Sequence, residues 1–233
     1  MSKTNKIKQK TTGFDILYRV VTAIACVAIY PAFYFANILT IAIAHTDISD
    51  LFNKFNGENT LQVTEESISL AELPNFIDMF SGFANEDFDF KTSILQNELY
   101  RPVVVAVVFI AIALLLGLVI LGFALFSNKI KVITALSGVG FLSTLAAYIS
   151  FTSFFASPLI AGEITLAQLL NMDGIISSAI IGLLGEVVVC TLDTAFFSVM
   201  FLLLGICLWS VSVLIVNISD EKEKAMKQAA KQK

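Results

Sequence analysis

Charge is scarce in this chain. Only 15% of its 233 residues are Asp, Glu, Lys or Arg, whereas 57% are hydrophobic and the mean hydropathy is +0.82. That balance excludes an ordinary soluble domain, and nucleic acid is not an expected partner. Histidine occurs once, at His45, so arrangements that pair a histidine with a metal or a nucleophile lose most of their candidates. No Gly-x-Ser-x-Gly elbow and no phosphate-cradling loop occurs. No catalytic residue, cofactor site or metal site is expected. The three cysteines, Cys26, Cys190 and Cys207, lie in or beside apolar runs and read as small packing residues, not as outer disulfides or a metal cluster.

What the chain does have is long apolar runs. A bilayer core about 30 Å thick is crossed by about 20 helical residues. Four runs qualify, at about 14–44, 102–126, 132–155 and 194–216. The first is too long and too aromatic for a cleaved signal peptide and is expected to remain as a span. Ser127 to Lys131 separates the second run from the third and reads as a tight turn at one membrane face. The expected fold is all-α: a polytopic membrane protein with four transmembrane helices as two hairpins and amphipathic extracellular helices. Outer loops are assigned to 45–101 and 156–193, with a basic tail at 1–13 and a Lys-rich tail at 219–233.

Twelve of the fifteen Lys and Arg residues fall in the N-terminal segment, the joint and the C-terminal tail, which points both termini toward the cytoplasm of a plasma-membrane protein. Fifteen of the nineteen carboxylates fall on the other side, leaving a strongly acidic outer face. Within that face, Thr46 to Phe55 and Ser69 to Phe80 have helical spacing of apolar residues, and Ser69 with Glu72 forms a capping-box pattern. Asn85 to Phe90 is acidic but lacks the ligand spacing of a calcium loop.

Polar residues inside the spans are the candidates for function. Thr22 and Asn37 lie on one stripe of the first span, and Ser137, Thr144, Tyr148 and Thr152 on one stripe of the third. Such stripes serve helix packing or line a hydrated path. Pro31 is expected to kink the first span, and Asp15 with Arg19 to pair along it. The second span carries almost nothing polar and is expected to face lipid. Ile175 to Val216 is too long for one span, so a fourth span is expected to begin at Asp193 and Thr194, leaving 175–192 as an outer or re-entrant helix. Glu186, in apolar surroundings, and Asp193 form a candidate cation site.

Short echoes, Ile68 to Leu73 with Ile164 to Leu169 and Leu114 to Gly117 with Leu202 to Gly205, suggest a duplicated hairpin that brings the two polar spans together at the centre. The layout of inside termini, a long first outer loop and a shorter second is similar to that of claudins and tetraspanins. The outer cysteines central to those families are absent, so the similarity is topological and transfers no function. The resulting expectation is a non-enzymatic assembly or accessory subunit, embedded in the lipid bilayer, acting through its outer loops with copies of itself or a larger membrane complex. The alternative is a cation-conducting channel or transport subunit lined by the first and third spans.

Overall fold

A computed structural model describes residues 13–45, 62–74, 98–127, 129–164, 168 and 187–231. The protein is mostly helical, and four helices are long and apolar enough to cross a membrane: Phe14–Phe35, Glu98–Phe126, Ile130–Ile160 and Thr194–Ser219. They are built from α1 (Gly13–Phe35), α2 (Arg101–Phe126), α3 (Ile130–Phe151) with a short continuation α4 (Ser157–Ile160), and α5 (Thr194–Lys231). All four expose large apolar side chains, among them Ile24, Leu115, Leu142 and Phe201, as a bilayer environment permits.

α1 packs against α2 and α5, and α3 packs against the same two. The helices therefore follow one another around the bundle as α1, α2, α3, α5, with α1 and α3 on opposite corners. Its interior is apolar, with Ile29, Ile120, Ile133, Val199, Leu203 and Val213 essentially inaccessible. Lipid tails are as apolar as leucine, so close packing and interhelical hydrogen bonds must hold these helices together. α2 is suited to close approach: its buried stripe is Ala106, Ala113, Gly117, Ile120 and Ala124, mostly small residues at heptad-like steps. A Cβ on Gly117 would stand 3.1 Å from the Tyr30 hydroxyl, and one on Gly140 of α3 would stand 3.2 Å from Leu203.

Polar tethers fix α1. The Tyr18 hydroxyl meets the Ser210 hydroxyl at 2.7 Å, and the Tyr30 hydroxyl donates to the Leu114 carbonyl at 2.9 Å. Arg19 donates from Nε to the Ala124 carbonyl at 2.7 Å and from Nη2 to the Leu125 carbonyl. Those carbonyls belong to the last turn of α2, which has no partners within its own helix, and a cation there also meets the negative end of the helix dipole. The chain then turns tightly. Ser127 is extended, its N–H donating to Phe123 at 3.0 Å, and α3 begins by Ile130.

At its far end α3 widens into a π turn, Thr152–Ala156, just before Pro158. Proline has no N–H and its ring crowds the carbonyl four residues back, so a wider turn relieves the helix there. Gly162, at φ 73°, then ends the helix in a left-handed conformation that glycine adopts without steric cost.

The end of the bundle away from the α2–α3 turn departs from the all-α expectation. β1 (Asn37–His45) is the centre of a three-stranded sheet, flanked by β2 (Gln62–Ser69) and β3 (Val187–Leu192), both antiparallel to it. The first apolar run is thus a helix to Phe35 and a strand from Asn37, not a helix throughout 14–44. A helix of 23 residues already rises about 35 Å, enough to cross. Beyond it, Leu39, Ile41 and Ile43 alternate with Thr40, Ala42 and Ala44, the period of a strand. Residues 187–192 are likewise a strand where a helix was expected, because Val187, Val188 and Val189 are β-branched and pair with β1. The sheet closes the bundle through a second apolar cluster containing Phe151, Phe155, Leu159, Cys190 and Phe196, with Leu39 and Ile41 packed against it.

α1 continues through Pro31. The polar first and third spans do not meet as neighbours, and each meets α5 instead. α2 is not wholly lipid-facing, since its small-residue stripe is buried. The expected outer helices at 46–55 and 76–80, the acidic 85–90 stretch and residues 175–186 lie outside the described residues.

The two kinds of glycine contact have opposite consequences. Gly117→Val should push the Tyr30 phenol off Leu114 and destabilise the bundle by about 1–3 kcal/mol. Gly205→Ala, whose added Cβ meets nothing within 4 Å, should leave stability unchanged or raise it. Thermal unfolding of both variants in one mild detergent provides the comparison.

Candidate functional site

Three polar features stand out within and at the end of the bundle. The first is the α3 stripe. Ser137 and Thr144 are fully buried, and both hydroxyls bond to their own helix: Ser137 to the Thr134 carbonyl at 3.1 Å and Thr144 to the Phe141 carbonyl at 2.7 Å. Thr134 does the same to Ile130 at 3.0 Å. Hydroxyls satisfied in this way need neither water nor a neighbouring helix. Tyr148 lies higher on the stripe against Phe196 and Phe197, with ring centroids at 6.2 and 5.9 Å. Thr152 opens the π turn. Of these candidates Tyr148 meets α5 directly, Ser137 and Thr144 are buried on α3, and Thr152 lies in the π turn that follows it.

The other two seam candidates lie elsewhere. Thr22 is buried on α1, and Asn37 opens β1 with Ser69 as its cross-strand partner. Thr22 helps line the second feature, a small apolar groove between α1 and α5 with Val21, Ala25, Phe201, Ile206 and Trp209. Thr22 Oγ1 and Trp209 Nε1 are both buried there and find no hydrogen-bond partner among the described residues. A larger apolar groove flanks α1 on its α2 side.

The third feature joins sheet to bundle. Asp193 follows β3 directly and precedes α5. Its Oδ2 accepts from the Thr40 hydroxyl at 2.6 Å and its Oδ1 from the Thr194 N–H at 2.6 Å, while its own N–H donates to the Ile38 carbonyl at 2.9 Å. Its carbonyl accepts the N–H groups of Phe196 and Phe197. Thr40 in turn meets Ser67 of β2 at 2.9 Å. The carboxylate thus joins the first N–H of α5 to the central strand, and Thr40 carries the link on to β2. The Thr40 hydroxyl, assisted by Thr194 against a small desolvation penalty, holds the Asp193 carboxyl below the usual carboxylate range. Its partner in the expected cation site, Glu186, lies outside the described residues.

Half of the capping-box pattern forms at the end of β2, where the Glu72 N–H goes to the Ser69 carbonyl and not to its hydroxyl. The Glu72 carboxylate accepts from the Ser69 hydroxyl at 2.8 Å and the Ser69 N–H at 3.1 Å. The Ser69 hydroxyl is the first cause of a lowered Glu72 carboxyl. Cys190 is buried on β3, and burial pushes its thiol up to about 11. Among the described residues, no group of three or more His, Cys, Asp or Glu is placed to hold a metal.

Sequence reasoning missed the tethers of α1, although residues 18, 19 and 30 were visible as the polar groups of an otherwise apolar span. Comparison of the chain with protein-family models, with curated proteins and with solved structures finds no match.

Asp193→Ala removes the acceptor for the Thr40 hydroxyl and for the first N–H of α5, and should cost about 1 kcal/mol in thermal unfolding. Because the folded carboxyl is shifted down, its contribution is complete above the ordinary carboxylate range and is lost as pH falls through the lowered folded value. The acid slope of stability should be shallower in Asp193→Asn than in the parent. Maleimide should leave Cys190 unmodified at pH 7.5 while the sheet is folded, and react once denaturant exposes it; labelling followed by peptide mass spectrometry reads both states.

Proposed function

We propose that this chain is a non-enzymatic assembly or accessory subunit of a membrane complex, working through its acidic outer face. In this reading two hairpins enter from the same side, both termini are cytoplasmic, and the sheet lies outside the cell. The observation that carries it is the disposal of the bundle's hydroxyl groups: Ser137, Thr144 and Thr134 bond to their own helix while apolar side chains fill the centre. Such an interior supports a rigid scaffold, leaving the outer end as the surface for partners. β2 brings Glu65 and Glu66 into that end, and the sheet draws on segments from two distant parts of the chain. A surface of one charge sign attracts a basic partner or a basic patch of a second copy.

The cation-path alternative requires a hydrated channel between α1 and α3, which stand on opposite corners with Ile29, Ile120, Ile133 and Leu203 filling the space between them. One set of preparations separates the two ideas. Crosslinking and native mass spectrometry in mild detergent should show the chain in oligomers or with other membrane proteins. A solitary 25.4 kDa species under all conditions would reject assembly. Cation flux into liposomes that disappears when Asp193 and Glu186 are replaced would favour the path.

A further inference from the structure

We infer that the groove between α1 and α2 is a binding site for one anionic phospholipid, holding an acyl chain in the groove with the phosphate at Arg19. The groove is lined by Ala23, Ile24, Val27 and Ala28 of α1 and by Leu121 and Leu125 of α2, all aliphatic. Its volume, about 440 Å³, lies within the roughly 300–1,000 Å³ typical of small-molecule sites. An aliphatic chain is the occupant that such walls accept without leaving a polar group unpaired.

Charge identifies the other end of the ligand. Arg19 is one helical turn before Ala23 on the same face of α1, so it continues the line of the groove toward the end where the α2–α3 turn lies. It is held there through the carbonyls of Ala124 and Leu125, the second of which belongs to a groove-lining residue. A guanidinium has five N–H donors, and these two bonds leave others for phosphate oxygens. Lys129 and Lys131 are exposed just beyond the same α2 terminus. Against these three cations, α1 contributes the carboxylate of Asp15 one turn further out, so the mouth keeps a net positive charge. Basic pockets between transmembrane helices recognise anionic headgroups in this way.

The test uses the full chain, reconstituted in nanodiscs of equal parts phosphatidylcholine and phosphatidylglycerol, extracted in mild detergent and examined by native mass spectrometry. One phosphatidylglycerol per chain should be retained in preference to phosphatidylcholine. Arg19→Gln should lower retention about tenfold, the scale of one charge-assisted hydrogen bond. Ala28→Phe, which fills the groove and leaves the α2 terminus intact, should lower it as well. Leu118→Phe, on an exposed part of α2 outside the lining, should not. Melting temperatures identify any variant that fails to fold, and Ala28→Phe then decides if Arg19→Gln is lost. Absence of retained lipid, equal retention of both headgroups, retention unaffected by Ala28→Phe, or a second copy of the chain in place of lipid would each overturn the inference. Because the groove and the outer sheet are separate, the site can fail while the assembly role stands, and the reverse.

Discussion

A polar group in hydrocarbon must find its partner within the protein, and this requirement explains most of the bundle's particular contacts. Three hydroxyls of α3 are satisfied by their own backbone: Thr134, Ser137 and Thr144 return to carbonyls three or four residues earlier. Other polar groups bridge helices. Tyr18 reaches Ser210, Tyr30 reaches Leu114, and Arg19 supplies the donors that the last turn of α2 lacks. These three start from α1, the helix flanked by a groove on either side, while Ser150 of α3 donates to the Pro102 carbonyl of α2 at 2.9 Å. Interhelical hydrogen bonds within membranes contribute only about 0.6–2 kcal/mol each, so α1 depends on several together. The other corner of the bundle relies more on shape, through Gly140 against Leu203 and Tyr148 between phenylalanines.

The helical spans were legible because their signal is length multiplied by hydrophobicity, and neither needs knowledge of a neighbour. The joint was equally plain: Ser127, Asn128 and Lys129 interrupt apolar sequence on both sides. The sheet was hidden for a physical reason. Asn37 to His45 follows α1 almost without a break in hydropathy, and a short apolar run fits a helix or a buried strand equally well. Its alternation of Leu39, Ile41 and Ile43 with smaller residues was present but was absorbed into an overlong span. β3 was concealed in the same way by the valines from 187 to 189. Only pairing with β1 distinguishes these strands, and pairing between residues 41 and 190 is a nonlocal fact.

The candidate site was read with the same asymmetry. Helical periodicity groups Ser137, Thr144 and Tyr148, which all lie on α3, with Thr152 just beyond it in the π turn. It put Thr22 and Asn37 together wrongly, because the chain changes from a period of 3.6 to a period of 2 between them. Asp193 was noticed for its charge and as a helix start, and the second property is the one the geometry describes. Its link to Thr40 and Ser67 required knowledge of the sheet.

The strand order has a consequence for how the molecule is made. β1 emerges with the first helix, yet one of its two flanking strands is encoded some 140 residues later, immediately before α5. Until synthesis passes Leu192, the backbone donors and acceptors along that side of β1 have no strand to satisfy them. An exposed strand edge is a template for pairing with other chains. The last membrane helix therefore arrives carrying the piece that closes a vulnerable surface, and its entry into the bilayer and the sealing of the sheet become one event in biogenesis.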